Sequence, residues 1–249
     1  MGKINKILIT TISLVIFSIS WNVILAEEEN VENTPNSSEE DYLATHIPIY
    51  IIIIVSLLTF QTIVLVLLGQ PLISPTGLRV WWGDIHSPEN SQHIADWYTF
   101  THMLHGLLMF YVTYPLPNPP ITVNVAFLIG LVTAVAWEII ENTSCVIERY
   151  RKTGASTEYR GDSVTNSFFD SLAMSAGFWL AYGIPWWGTL ALGLLEEVVL
   201  GVVIRDNMVL NIVQIVYPFK CISDWQERGK KEVTSTGVQE IRRGDEEDD

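Results

Sequence analysis

The chain has 249 residues, of which 49% are hydrophobic, and its mean hydropathy is +0.28. Its length suits one domain, whereas this apolar content exceeds the need of a soluble core, so the composition favours a membrane protein. The net charge of −14 arises mainly from acidic residues near the start and at the very end of the chain. Such segments are typical of solvated tails and argue against a nucleic-acid partner. The two cysteines, Cys145 and Cys221, lie in no CxxC spacing, which excludes a disulfide framework.

Residues 1–26 combine a short basic start, an apolar run and the small residue Ala26 before an acidic stretch. This pattern is typical of a secretory signal peptide. The apolar run is long and Ile24 occupies the −3 position, so an uncleaved N-terminal anchor is the alternative. Residues 27–45 carry many acids and no Lys or Arg, and this composition predicts a disordered acidic spacer.

The following apolar segments predict an all-α, polytopic membrane protein whose helical membrane domain covers residues 46–226. The first segment contains the ~20 apolar residues that a helix needs to cross a hydrocarbon core. The later ones include polar positions, which must face protein rather than lipid. We therefore expect about five membrane spans, over residues 46–70, 97–114, 121–141, 166–184 and 187–204.

The end of the chain contains one more apolar run, at residues 207–219. This run is too short to cross comfortably and predicts an interfacial or re-entrant helix. Residues 227–249 are rich in charge and predict a disordered cytoplasmic tail.

Basic residues predict the orientation of the spans. Four of them, Arg149, Arg151, Lys152 and Arg160, occur in one loop, whereas the Pro-rich hairpins carry none. The positive-inside rule therefore places that loop in the cytoplasm and the acidic spacer outside. The expected location is an inner (plasma) membrane, with the lipid bilayer as the partner of the apolar helix faces.

With this topology, four spans bring polar side chains to the cytoplasmic leaflet. Neighbours at i, i+3 or i+4 share one helix face. A single buried charge costs ~2.5 to 3.5 kcal/mol on insertion scales, so several of them need partners or water. We therefore expect a polar cavity that faces the cytoplasm, built from His102 and His105, from Glu138 and Glu141, from Asp162, Asn166 and Asp170, and from Glu196 or Glu197.

A divalent metal is one interpretation of this cavity, because imidazole and carboxylate ligands suit Zn, Mn or Fe. No HExxH or comparable spacing occurs, so the metal signal is weaker than the signal for a polar site. Without a metal, a His–carboxylate pair could act as general base and orienting group. The candidate metal ligands are His102, His105, Glu138, Glu141 and Asp170.

Each motif also has a purely structural interpretation. The two histidines could simply hydrogen-bond near a helix start, and Asp162 or Ser163 could cap a helix N-terminus. Glu196 and Glu197 could form ion pairs with Arg205. The convergence of all these groups on one leaflet favours the site interpretation.

Four blocks of this sequence resemble an uncharacterised family of bacterial multi-pass inner-membrane proteins. The blocks read ENSQHIADWYTFTHMLHG, WEIIENTSCVIERYR, YRGDSVTNSFFD and VIRDNMVLNIVQIVYP, and the resemblance extends from about residue 68 to 226. It implies a helical membrane protein and brings no known activity. Where such proteins usually carry Cys-x-Cys-Gly, this chain has Ser74, Pro75, Thr76 and Gly77. A fainter similarity to the VanZ-like membrane proteins carries no chemistry.

The motifs and the matching blocks together select the candidate site residues. The candidate catalytic residues are His93, His102, His105, Glu138, Glu141, Asp162, Asn166 and Asp170. The candidate substrate-binding residues are Asn90, Gln92, Arg149, Arg151, Arg205, Asp206 and Asn207.

Three functions fit these residues. The favoured hypothesis is an intramembrane hydrolase or transferase that acts on a lipid or lipid-linked substrate at the cytoplasmic leaflet. A small transporter or an ion- or solute-binding membrane protein is the first alternative, although no internal repeat is visible. A structural or assembly protein is the second, and it would need fewer ionisable groups than this chain has.

Overall fold

The structure is a computed structural model that describes residues 39–115, 119, 121–153 and 158–229. The predicted signal peptide or anchor at 1–26, most of the acidic spacer and most of the C-terminal tail lie outside the described residues. The last residues of the predicted spacer, from Glu39 onward, form the start of the first described helix.

The described part of the chain is helical, which confirms the predicted all-α class. Its β pairing is limited to one isolated bridge between Trp81 and Ala95. A further helical stretch covers 220–229. The named helices are α1 (Glu39–Leu68), α2 (Trp97–Thr113), α3 (Val123–Glu141), α4 (Ser144–Thr153), α5 (Val164–Gly183), α6 (Trp186–Val203) and α7 (Met208–Val216).

Within the described residues, three helices are long and apolar enough to cross a membrane: Ile47–Leu68 within α1, all of α3, and all of α6. The expected number of five spans is not confirmed. Helix α2 has 17 residues, and α5 combines 20 residues with several buried polar side chains, among them Asn166, Ser167 and Asp170. Both of these helices are packed inside the bundle, where polar positions face other helices rather than lipid.

Helices α2 and α5 form the central pair because two glycines let their backbones touch. A Cβ atom at Gly106 would overlap the carbonyl oxygen of Met174, and one at Gly177 would overlap that of Met103. Small residues at a membrane helix interface permit this close approach. The contact sets the position of every polar side chain that either helix carries near its N-terminus.

Apolar packing fills the half of the bundle beyond the N-termini of α2 and α5. Phe110 of α2, Phe127 and Leu131 of α3, and Phe178 of α5 are all buried in one cluster. Phe178 contacts both Phe110 and Phe127 edge to face, an arrangement that aromatic rings favour. His102, Glu138 and Asp170 lie toward the opposite end of these helices.

Side-chain hydrogen bonds define the helix starts at the polar end. Asp96 and Thr99 form a reciprocal capping box at the N-terminus of α2. Ser163 caps α5 by accepting a hydrogen bond from the amide of Asn166. Asn207 caps α7 in the same way through the amide of Leu210. These caps satisfy amide groups that the helices leave free.

Two segments differ from the expectation. The basic loop contains helix α4, which has Tyr150 on it and ends in basic residues. The predicted interfacial run at 207–219 contains the shorter helix α7, Met208–Val216. It is followed by a turn at Pro218 and by the helical stretch 220–229.

The α2–α5 contact yields a test with a matched control. We expect Gly106→Ala and Gly177→Ala to destabilise the detergent-solubilised protein by about 1 to 3 kcal/mol, the usual cost of overpacking. Gly183→Ala, at a position with open space around it, should not destabilise. Thermal unfolding followed by circular dichroism measures the effect, and unchanged melting of both interface variants would contradict the backbone contact.

Candidate functional site

Three buried side chains from three helices meet at the polar end of the bundle. His102 of α2 places Nδ1 3.2 Å from Glu138 Oε1 of α3 and Nε2 3.9 Å from Asp170 Oδ2 of α5. One ligand atom from each residue lies within 4.8 Å of the others. We call His102, Glu138 and Asp170 the triad. Three of the five predicted metal ligands are thus brought together.

Glu138 is the most unusual member of the triad. Its side chain is 0% exposed, and neither carboxylate oxygen accepts a hydrogen bond of standard geometry from the described residues. Oδ1 of Asp170 is also buried and has no hydrogen-bond partner of standard geometry among the described residues. Buried polar atoms without partners are rare and costly, and each one calls for an explanation.

A small cavity of about 30 Å³ lies beside the triad, and its walls carry three further acids. Each acid faces a tyrosine. The hydroxyl of Tyr98 donates to Asp206 at 3.0 Å and that of Tyr159 donates to Asp162 at 2.8 Å. The third pair is Tyr150 and Glu141, which lie in contact.

Burial shifts the ionisation of the loop acids in this region. It raises the pKa of Asp162 to about 7 and that of Asp206 to about 7, although the tyrosine hydrogen bonds oppose the shift. Burial likewise raises the pKa of Asp96 to about 6. Ionised carboxylates in this cavity are therefore destabilised by burial, and a bound cation or hydrogen-bond donor would stabilise them.

A wider chamber of about 200 Å³ continues from the small cavity toward α7. His102, Glu141, Tyr98 and Tyr150 line both spaces. His105 lines only the wider chamber, and its Nε2 lies 3.2 Å from the hydroxyl of Thr133. His105 and Glu141, the other two predicted metal ligands, thus border the chamber without joining the triad.

Several predicted catalytic and substrate-binding residues brace the backbone instead of lining either space. His93 is 1% exposed, accepts a hydrogen bond from the amide of Arg79 and lies 3.3 Å from Glu89. The side-chain amide of Asn166 donates to the carbonyl of His93, and that of Gln92 donates to the carbonyl of Gly161. These last two contacts join the segment before α2 to the segment at the start of α5.

Asn90 and Asp206, two of the predicted substrate-binding residues, line the small cavity instead. Asn207 acts as the cap of α7. Glu197 also serves that helix, because its carboxylate accepts hydrogen bonds from the amides of Met208 and Val209. Glu196 is buried, and neither of its oxygens has a hydrogen-bond partner among the described residues.

The arginines that were expected to bind substrate or to neutralise the acids lie elsewhere. Arg149 donates to the carbonyl of Ile215, and Arg205 donates to that of Trp225. Arg151 and Arg160 are exposed. In the described part of the chain, Glu138 and Asp170 each form an ion pair with His102, at N···O distances below 4 Å.

Sequence reasoning did not select the three tyrosines, although each lies close in sequence to a predicted site residue or block. Tyr98 follows the cap of α2, Tyr150 lies on the unexpected helix α4, and Tyr159 precedes Asp162 by three residues. A tyrosine near an acidic block has no diagnostic spacing. Their role became visible only when the cavity brought them to their acids.

A family profile described as protein of unknown function (DUF2585) matches residues 65–228, about two thirds of the chain. The chain belongs to the DUF2585 family. The matched range agrees with the stretch in which the sequence blocks indicated an uncharacterised bacterial family. The fainter similarity to VanZ-like proteins remains a prediction.

Relatives of this DUF2585 protein are found in several bacteria. A UPF0314 protein of Sphingopyxis alaskensis is 40% identical over 176 residues, which cover 70% of this chain and 93% of the relative. A UPF0314 protein of Paracoccus denitrificans is 39% identical over 174 residues, which cover 68% of this chain and 90% of the relative. No solved structure gives a significant match.

The raised aspartate pKa values predict how stability depends on pH. An unfolded aspartate titrates near pH 3.9, so between this pH and about 7 the folded state binds more protons at Asp162 and Asp206. Stability must then fall as the pH rises through about 7. We expect the melting temperature of the metal-free protein to drop by several degrees between about pH 6.5 and about pH 8.

Asp206→Asn should reduce this pH dependence, because it removes one of the titrating groups. The exposed Asp224 offers the matched control, and Asp224→Asn should leave the dependence unchanged. Burial lowers the pKa of His93 below its usual 6.5, so this histidine opposes the fall in stability at the lower end of the range and contributes little above about pH 7.5. A melting temperature that rises with pH across the range would contradict the assignment.

Proposed function

We propose that this protein is an intramembrane hydrolase or transferase that acts on a lipid or lipid-linked substrate, with a divalent metal held by the triad. The observation that carries the proposal is the fully buried carboxylate of Glu138, which faces His102 and Asp170 and whose oxygens accept no hydrogen bond of standard geometry from the described residues. A metal ion would provide what this carboxylate lacks.

Charge supports the metal. Two ionised carboxylates and a neutral imidazole carry a charge of −2, which a divalent cation would cancel. The alternative is protonation of the acids, because the desolvation of two adjacent negative charges is prohibitive. Mixed imidazole and carboxylate ligation suits Zn, Mn or Fe rather than Ca or Mg, which prefer oxygen ligands alone.

The chemistry of such a centre is activation of an oxygen nucleophile. A bound divalent metal lowers the pKa of a coordinated water and polarises an ester or phosphoryl oxygen. Hydrolysis uses water as the nucleophile, and group transfer uses a substrate hydroxyl in its place. The carboxylates of Glu141 and Asp162 border the same cavity and are suitably located to take up the released proton.

The location of the triad favours enzyme over transporter. Buried aromatic and aliphatic side chains, including Phe110, Phe127 and Phe178, fill the bundle beyond it. A transporter needs access from both faces of the membrane, usually at broken helices near the midplane. The basic loop argues that the open face is the cytoplasmic one.

A purely structural role fits the other polar contacts better than it fits the triad. Gln61 of α1 donates to the carbonyl of Ser167 and accepts from the hydroxyl of Ser171. Such satisfied pairs lock membrane helices together. Glu138, which has no such donor, would weaken the bundle if it served only as a lock.

The proposal predicts a metal content that depends on the triad. Purified protein should contain near-stoichiometric Zn, Mn or Fe by plasma mass spectrometry. We expect His102→Ala and Glu138→Gln each to lower the occupancy at least about tenfold, since loss of one ligand removes well over 1.4 kcal/mol of binding free energy. Glu138→Gln keeps the side-chain shape, so lost metal together with the melting temperature of metal-free wild-type protein isolates the ligand effect.

His105→Asn is the matched control, because His105 lies on the same helix, borders the chamber and contacts Thr133 rather than the triad. This variant should keep its metal. A wild-type protein that remains metal-free after incubation with each ion would overturn the metal centre. Equal losses in all the variants would show that the ion is not held by the triad.

A further inference from the structure

An apolar groove of about 440 Å³ runs between α2, α6 and α7. Along α6 its lining extends from Trp186 to Glu197, a distance of about 16 Å at 1.5 Å per residue. The wall on α2 includes Leu108 and Tyr111. Almost all of the lining side chains are apolar, so the groove is suited to a hydrocarbon rather than to a polar solute.

The groove opens toward lipid. It lies on α6, one of the helices able to cross a membrane, and only 22% of this helix is buried. Leu190 and Leu194 line the groove and are 54% and 59% exposed. In a bilayer these side chains face acyl chains.

The groove also borders the polar chamber beside the triad. Met208 and Ile212 of α7 line both the groove and the chamber. The groove and the chamber therefore border each other along this short helix. A lipid has this same division into an apolar chain and an adjoining polar head.

The unpartnered atoms of the two polar spaces indicate the chemistry of the head. Three acceptor oxygens outside the metal triad line these spaces without hydrogen-bond partners in the described chain. They are Oδ1 of Asn90, Oε2 of Glu141 and Oδ1 of Asn211. A head group that donates hydrogen bonds, such as an amine, would satisfy them, because buried acceptors are stabilised only when they are paired.

We propose that one membrane lipid occupies this site, with a hydrocarbon chain in the groove and an amine-bearing head group in the polar chamber. The proposal rests on the lipid substrate proposed above and specifies its class. The acyl chain positions the lipid, and the acceptors of the chamber select the head.

Photocrosslinking of the full-length protein in nanodiscs tests the groove. The probe is a phosphatidylethanolamine that carries a diazirine on one acyl chain, and peptide mass spectrometry locates the labelled residues. We expect labels on Leu108 and Tyr111 in excess of those on Leu195, which lies outside the groove lining. Leu194→Trp should fill the groove and lower labelling of α2 about tenfold, equivalent to roughly 1.4 kcal/mol.

Leu195→Trp is the matched control. Leu195 neighbours Leu194 and is equally exposed, at 59%, but does not line the groove. This variant should leave labelling of α2 unchanged. Even labelling of all lipid-facing residues, insensitive to Leu194→Trp, would reveal annular lipid only and overturn the proposal.

A phosphatidic acid with the same diazirine chain tests the head group, since it lacks the amine. We expect weaker labelling of α2 by this probe than by phosphatidylethanolamine, and we expect Glu141→Gln to reduce the difference. Equal labelling by both probes would overturn the head-group assignment. Metal content measured on the same samples separates the two proposals: metal retained without groove labelling overturns the lipid site alone, and groove labelling without metal overturns the metal centre alone.

Discussion

The backbone contact between α2 and α5 is the constraint on which the site depends. Gly106 lies four residues after His102, and Gly177 lies seven residues after Asp170. Because the two glycines allow the helices to touch, the histidine and the aspartate meet one to two turns nearer the helix N-termini. Helix α3 then contributes Glu138 from near its C-terminal end. A wider spacing of α2 and α5 would separate the three ligand atoms.

Burial of acids without basic partners is the electrostatic cost of this arrangement. The structure reduces the cost with hydroxyl donors, as Tyr98 does for Asp206 and Tyr159 does for Asp162. Neither oxygen of Glu138 has a hydrogen-bond partner of standard geometry among the described residues. Where a protein meets most of the hydrogen-bonding needs of a buried cluster and leaves a few acceptors unpaired, those acceptors indicate a place for a ligand. The metal proposal rests on the unpaired oxygens of Glu138. The lipid proposal rests on other unpaired acceptors, those of Asn90, Glu141 and Asn211.

The sequence predictions of the site used local information. The periodic spacing of polar residues on apolar helices selected His102, Glu138 and Asp170, and the structure brings these three together. The same reasoning grouped His105 with them, whereas in the structure His105 faces Thr133. It also missed helix α4, because a short basic amphipathic helix has the composition of a loop. Arg149 and Arg205, the expected counter-ions, donate hydrogen bonds to the backbone carbonyls of Ile215 and Trp225, contacts that the sequence did not predict.

The helical class and the family follow from the amino-acid sequence, as does the expectation that polar groups collect at one end of the helices. Hydrophobic runs and their interruptions are properties of single segments, so they can be counted without a fold. The membership of the triad, the pairing of acids with tyrosines and the apolar groove beside the polar chamber emerge from the packing of the helices. These features depend on crossing positions and on atoms from helices far apart in the chain, which no local spacing encodes.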